Sequence, residues 1–420
     1  MKVLFLSKSH PVYGGVERWL FDLVLCLERR GVECIVALAK GSRFHDSGRY
    51  ARVYDGMSVV ELDGSSGSAP DRCLAVERAL RAEKPDVVVP VMLADGLVVA
   101  TKLKARLGHR IVYPVHEIQA GIARDLACCG AWLDRIVFVD VSGQVHFGKD
   151  PRTPTGRQVV ISCGVPAYGG EMINRFCEMG PLRIGWCGRL EVPQKRVTDL
   201  IALSRLLDDA GVHYELSVVG EGQAKGLLER GLRDGIESGR VRLVGTQSRD
   251  ELYRSFYPWM DVLLVTSQGE TGPLVAFEAM MCGCLVLSSD FHGRAENGAL
   301  VDFQTCRLYP VGDMASAAKV LEEIAREPFA ARDVARRGTI CARQSRSLES
   351  MADRWHRLLQ DVLADEVVAT GGAVRIADKG DSRLRRWGVP DVVAERLRRI
   401  LGRRFEHASA GEEWPRYLAK

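Results

Sequence analysis

Two consecutive α/β domains, each built on a mainly parallel sheet, are the architecture that this sequence predicts. Three observations carry the expectation. Short apolar runs alternate with segments of helical period along residues 3–139 and again along 182–326. A stretch rich in Pro and Gly, from Pro151 to Gly170, interrupts that alternation once. The chain has 420 residues, more than a single hydrophobic core commonly serves.

The first apolar run, residues 3–6 (VLFL), reads as a buried strand. A turn-rich stretch leads to Gly14 and Gly15. Leu20, Leu23, Val24 and Leu27 then recur at helical spacing until Gly31 stops the helix. Residues 34–38 form the next strand, so the chain opens as a βαβ unit. Further strands are expected at 59–62, 87–91, 111–115 and 136–139, with helices at 71–83 and 95–107. After the break, strands at 182–187, 214–219, 241–244, 262–266 and 285–288 alternate with helices near 197–210, 223–232, 249–256 and 273–282. A helix follows at 315–326. Another, at 347–364, carries Met351, Trp355, Leu358, Leu359 and Val362 on one face. The expected organisation is a first domain over 1–165, a second over 180–345, a helix at 347–365 packing back on the first, and a basic tail over 366–420.

Composition narrows the function classes. Hydrophobic residues make up 46% and charged residues 27%, the balance of a chain that folds rather than stays disordered. The net charge of +4 is too small over this length for wholesale nucleic-acid binding, so no nucleic-acid partner is expected. The 12 cysteines are irregularly spaced and form no C-x-x-C pair, which fits reduced thiols in a cytoplasmic enzyme better than disulfides or zinc. The N-terminal apolar run is too short for a signal peptide, and the most apolar stretch, 86–100, is broken by Pro90 and Asp95. No spanning helix is expected.

The residues that suggest chemistry sit between strands and helices. At Gly14 and Gly15 a missing Cβ lets backbone amides approach an anion at a helix N-terminus, or serves only the tight turn. In WCGRLEVPQKR, Arg189 follows the first strand of the second half and Lys195 comes six residues later. Cations there stand where open α/β sheets bind ligands, although a solvated loop is the commoner fate of such a pair. In SQGETGPLVAFEAMMCG, Glu270 and Glu278 lie eight apart, with Gly272 and Pro273 between them. With Pro273 in the first helical turn, nearby amides face whatever sits at that terminus. Glu278 is flanked by Phe277, Ala279 and Met280 in a helix apolar on nearly all sides, and a carboxylate there needs a polar partner.

Taken together, GGVE at 14–17, GRL at 188–190 followed by a lysine, VVGEG at 218–222 and E-x7-E at 270–278 resemble the retaining, nucleotide-sugar-dependent glycosyltransferases of family 4. The resemblance covers about residues 1–365. It implies the GT-B fold, two Rossmann-like domains facing each other across a cleft. It also implies transfer of a sugar, with retention, from a UDP- or GDP-type donor to a glycan, lipid-linked or small-molecule acceptor, with no cofactor. By the same resemblance Arg189 and Lys195 bind the donor diphosphate, Glu278 the ribose, and Glu270 the hydroxyls of the transferred sugar. The backbone of Gly272, Pro273 and Leu274, with Gly14 and Gly15, holds sugar and phosphates, and His116 in YPVHE lines the cleft. A cation about 4 Å from the leaving diphosphate, at an effective dielectric of about 20, contributes about 4 kcal/mol before desolvation. With no Asp-x-Asp pair in the chain, metal-independent chemistry is the expectation.

The family pattern is not followed throughout. Cys163 stands in ISCGVP where the family has Asn, Glu270-Thr271-Gly272-Pro273 replaces Glu-Gly-Phe-Gly, and Leu285 replaces a Pro. A nucleotide-sugar epimerase of the same fold and a catalytically silent sugar-nucleotide binder remain alternatives. In the tail, Val393, Leu397, Ile400, Leu401 and Phe405 fall on one side of a helix among arginines between Arg383 and Arg404. Its apolar face either packs on the catalytic body or, through residues 383–405, lies on an anionic membrane at the inner leaflet.

Overall fold

In the computed structural model, which describes residues 1–149, 153–170, 180–368, 384, 387–404, 407 and 413–414, the run KVLFLS forms β1 (Lys2–Ser7), with Val3 to Leu6 fully buried. Near-continuous apolarity of this kind marks a strand covered on both faces, as parallel sheets require. Six more strands join it: β2 (Glu33–Lys40), β3 (Val59–Asp63), β4 (Val87–Val91), β5 (Arg110–Val115), β6 (Arg135–Phe138) and β7 (Gln158–Val160). Their order is β3-β2-β1-β4-β5-β6-β7, and every pairing is parallel.

The second sheet holds β8 (Leu182–Cys187), β9 (Tyr214–Val219), β10 (Val241–Gly245), β11 (Val262–Val265), β12 (Leu285–Ser289) and β13 (Arg307–Tyr309). The order β10-β9-β8-β11-β12-β13 is again wholly parallel. Each sheet therefore reverses its winding once, between β1 and β4 and between β8 and β11.

The chain divides into two units, Met1–Ile161 with Met351–Lys420, and Ser162–Ser350. Residues 162–165, part of the stretch read as an interdomain connection, belong to the second unit. Val165 donates to the carbonyl of Arg346 (2.7 Å) and accepts from Leu348 (3.1 Å). A Cβ on Gly164 would lie 2.7 Å from the Ser347 carbonyl oxygen, which accounts for the glycine. The helix Leu348–Ala364 carries the chain back to the first unit, where Trp355 is fully buried against Trp19 at 5.7 Å between ring centroids.

Several elements differ from expectation. Residues 249–256 do not form one helix: Arg249–Glu251 is followed by a wider π turn at Leu252–Phe256 and a 3-10 turn at Tyr257–Trp259 that contains Pro258. The stretch 223–232 breaks into Lys225–Gly231 and Arg233–Glu237. Pro273 caps the helix Leu274–Met281 and does not enter its first turn. The helix Pro328–Ser345 was not anticipated, because it buries small side chains such as Ala331, Ala335, Gly338 and Ala342 rather than a stripe of large ones. Strands β7 and β13 have three residues each, too few to show a period.

The tail helix, Asp391–Ile400, packs on the helix Ala69–Glu83 of the first unit, with the opposite side inward from the one its apolar stripe suggests. Its buried residues are Ala394 and Glu395. Glu395 accepts hydrogen bonds from Ser66 (2.7 Å) and Ser68 (2.6 Å), and Arg399 pairs with Asp71 (2.9 Å) and Asp63 (3.0 Å). Farther on, the Glu413 carboxylate accepts from the amides of Arg43 (2.8 Å) and Phe44 (2.6 Å). Phe405 and Arg383, at the ends of the segment considered for membrane contact, lie outside the described residues.

Candidate active site

Where a parallel sheet reverses its winding, the loops leaving the two central strands diverge and leave a crevice at their carboxyl ends. In the second unit these are the loops after β8 and β11, and both carry candidate residues. They are stitched together. Thr266 donates to the Lys195 carbonyl (2.6 Å) and accepts from the Trp186 indole (3.0 Å). The Gln268 amide donates to the Gln194 carbonyl (2.8 Å), and the Gln194 side chain donates to the Gly269 carbonyl (3.2 Å).

That stitching brings Lys195 and Glu270 together. Lys195 Nζ donates to Glu270 Oε1 at 2.5 Å, and Ser267 Oγ donates to the same oxygen at 2.6 Å. Both partners of the ion pair are largely buried, with side chains 18% and 10% exposed. Glu270 Oε2 makes no hydrogen bond among the described residues. Arg189 stands on the rim, its side chain 61% exposed, paired with Glu191 (3.1 Å) and bonded to Gln194 Oε1 (3.2 Å).

The loop after β8 is held from its other side by the VVGEG turn. The Gly188 amide donates to the Val219 carbonyl (3.1 Å) and the Leu190 amide to the Glu221 carbonyl (3.0 Å). Gly220 has φ +137, and a Cβ there would lie 1.9 Å from the Gly188 carbonyl oxygen; on Gly222 it would lie 2.4 Å from that of Leu190. These two glycines permit a backbone approach that no side chain allows.

After Glu270 the chain turns through Gly272, at φ +103, into Pro273 and the helix beginning at Leu274. The first amides of that helix have no intrahelical acceptor and carry its positive end. One turn in, Glu278 is buried, and Tyr257 Oη donates to it at 2.8 Å, supplying the polar partner that an apolar helix demanded. The Tyr257 hydroxyl is held well above its ordinary pKa by burial and then by Glu278, so it stays a donor. The Cys187 thiol is pushed up to about 12, by burial first and by Glu278 second, with Lys195 acting oppositely. Cys187 thus lies within electrostatic reach of both the carboxylate and the ammonium.

The first-unit candidates are placed differently. His116, just past β5, is 5% exposed, with its ring edge-on to Trp19 at 4.3 Å. Burial, then the Lys8 charge, lowers its pKa to about 3, so it is neutral near pH 7. Gly14 caps the helix Gly15–Glu28, and the Glu17 carboxylate folds over it: a Cβ on Gly14 would meet Glu17 Oε2 at 2.2 Å. That helix end already has a carboxylate beside it.

Sequence reasoning missed Thr266, Ser267, Gln194 and Tyr257, single polar residues whose only signal was position at a strand end or in a loop. A cavity of about 540 Å³ lies over one face of β8, β9 and β10, lined there by Arg183, Glu215, Ser217, Arg242 and Val244, and none of the candidate residues lines it. Among the described residues no group of three or more His, Cys, Asp or Glu side chains could hold a metal ion.

Comparison with known proteins bears on this geometry. Residues 181–327 match the family described as glycosyl transferases group 1, and residues 13–166 match that described as glycosyltransferase family 4. No curated protein matches the sequence. Among solved structures, Anabaena HepE in complex with UDP and glucose is 17% identical, with a TM-score of 0.68 over 86% of this chain and 99% of that one. Sucrose-phosphate synthase from Thermosynechococcus elongatus is 16% identical, with a TM-score of 0.71 over 87% and 99%. A glycosyltransferase from Rickettsia africae is 14% identical, with a TM-score of 0.69 over 87% and 99%. At such identities the structures establish fold alone: two Rossmann-like α/β domains of the GT-B class. With both halves matched by glycosyltransferase families, the chain is a glycosyltransferase of that fold.

Proposed function

We propose that the protein moves a sugar from a nucleoside diphosphate donor, of UDP or GDP type, to a hydroxyl acceptor with retention of configuration and without a metal. The Lys195–Glu270 pair at the carboxyl ends of β8 and β11 is the observation that carries this reading. The bond from the sugar's anomeric carbon to phosphate breaks and leaves its electron pair on the diphosphate. Lys195 and Arg189 stabilise the charge that develops there, assisted by the first amides of the helix after Pro273. Glu270 Oε2 is available to a sugar hydroxyl, and Glu278, oriented by Tyr257, suits a ribose. The acceptor oxygen forms the new bond to the anomeric carbon, and its proton passes to the departing diphosphate oxygen.

Retention and the ribose assignment rest on the motif resemblance. Gly15 contacts a phosphate in this reading, although the nearby Glu17 opposes it electrostatically. The neutral His116 serves as a packed wall of the sugar site rather than as an acid. HepE in complex with UDP and glucose supports a UDP donor. A variant of S. aureus TarM in complex with UDP, fondaparinux and alpha-GlcNAc-glycerol supports glycan-like acceptors. A cytoplasmic location is proposed on the cysteine pattern, and no described helix is long and apolar enough to cross a membrane.

The test is a panel of UDP- and GDP-sugars with the product's anomeric configuration read by NMR. Slow hydrolysis or transfer with retained configuration is expected. An isomerised donor would make the protein an epimerase, and binding without turnover a silent binder. No feature of the site favours either.

A further inference from the structure

The tail helix Asp391–Ile400 faces the first unit with its carboxylates and leaves its apolar side outward. At about 100° per residue, Ala394, Glu395 and Arg398 share the inner side, while Val393, Leu397 and Ile400 share the outer one. Exposures agree: Val393 47%, Leu397 42%, Ile400 72% and Leu401 66%, with Trp387 just before the helix at 77%. A helix that buries a glutamate and exposes its leucines inverts the ordinary arrangement. It is held in that orientation by Ser66 and Ser68 on Glu395 and by Asp63 and Asp71 on Arg399.

The charges sort the same way. Of the two acids between 391 and 404, Glu395 is buried and Asp391 half-buried, whereas Arg396, Arg403 and Arg404 are exposed. Among the described residues no carboxylate pairs with those three arginines. The outward surface is therefore apolar, cationic, and preceded by an exposed tryptophan.

We infer that this outward face is a docking surface for an anionic lipid bilayer. Apolar side chains enter the headgroup boundary, arginines meet lipid phosphates, and an indole suits the interface between them. A second copy of this chain is a poor occupant, because a self-complementary contact would set the arginines against their own copies. The inference does not depend on the donor or reaction proposed above. No matched family region extends beyond residue 327.

The test is sedimentation of the full chain with vesicles of equal parts phosphatidylglycerol and phosphatidylethanolamine, against phosphatidylcholine alone. Partition to the anionic vesicles should exceed that to the neutral ones roughly tenfold at 0.1 M salt, where the screening length is about 10 Å, and fall severalfold at 1 M, where it is about 3 Å. Two double variants test the two components: Ile400→Ser with Leu401→Ser, and Arg396→Glu with Arg403→Glu. Each should lose most vesicle binding while melting temperature and donor hydrolysis stay at the parent's values. Equal partition to both vesicle types overturns the proposal, as does undiminished binding by both variants. So does a concentration-dependent dimer, without vesicle binding, that Ile400→Ser with Leu401→Ser dissolves, since a second copy would then cover the face. Loss of donor hydrolysis with vesicle binding intact counts against the catalytic reading alone.

Discussion

Lys195 and Glu270 neutralise one another across 2.5 Å, so a diphosphate bound as proposed would compete with a carboxylate for the same ammonium. In the proposed reading its gain would grow as negative charge collects on the leaving group, which would place the contribution of Lys195 in the transition state more than in binding. Lys195→Ala and Arg189→Ala are each expected to lower kcat at least about tenfold with melting temperature preserved; near-normal turnover in both would remove them from the diphosphate. In the proposed reading Glu278 would act differently, because ribose contacts hold equally before and during reaction. Glu278→Ala should raise the donor KM more than it lowers kcat, and equal losses in the two parameters would contradict the ribose role. His116 gives a prediction in pH. Its folded value, about 3, lies below the ordinary 6.5, so the unfolded chain takes up the proton first as pH falls. The stability it contributes is full above pH 6.5 and declines toward pH 3, by up to about 1.4 kcal/mol per pH unit. Thermal scans of His116→Phe should show a shallower fall than the parent between pH 6.5 and 4.5. Parallel curves would mean that the ring is not held neutral.

At the scale of elements, the site depends on one loop clamped between two others. The loop after β8 is bonded to the VVGEG turn on one side and to the loop after β11 on the other. Gly220→Ala should therefore strain a φ of +137 and push against the Gly188 carbonyl, a cost of at least about 1–3 kcal/mol. The expected result is a lower melting temperature together with weaker donor binding; an unchanged KM in a destabilised variant would uncouple the clamp from the site. Most strands, and the helices with large apolar stripes, were legible because parallel strands buried on both faces leave continuous apolar runs. Pro328–Ser345 was not, since its packing rests on small residues. Nor was the π turn before Tyr257, although it precedes the hydroxyl that bonds Glu278.

For the whole molecule, ligand binding is the most direct probe. A nucleotide that binds only the folded chain stabilises it by about 2.7 kcal/mol at a hundredfold excess over Kd. UDP or GDP should raise the melting temperature equally before and after exhaustive EDTA treatment, and donor hydrolysis should persist. Loss of both, restored only by magnesium or manganese, would overturn the metal-independent reading.

The sequence alone determined the two α/β halves, the placement of Arg189, Lys195 and Glu270 in loops after strands, and the need of Glu278 for a polar partner. These follow from local periodicity and from the cost of burying a carboxylate, both of which can be read within a short window of residues. Only the tertiary structure decided which partner that was, because Tyr257 lies 21 residues away and reaches Glu278 through packing rather than spacing. It also decided that Lys195 meets Glu270, 75 residues on, by setting β8 beside β11. The tail shows the limit most clearly. Amphipathic spacing gave the helix an apolar face but not its direction, and Ser66, Ser68, Asp63 and Asp71, more than 300 residues earlier, turned that face outward by binding the charged side instead.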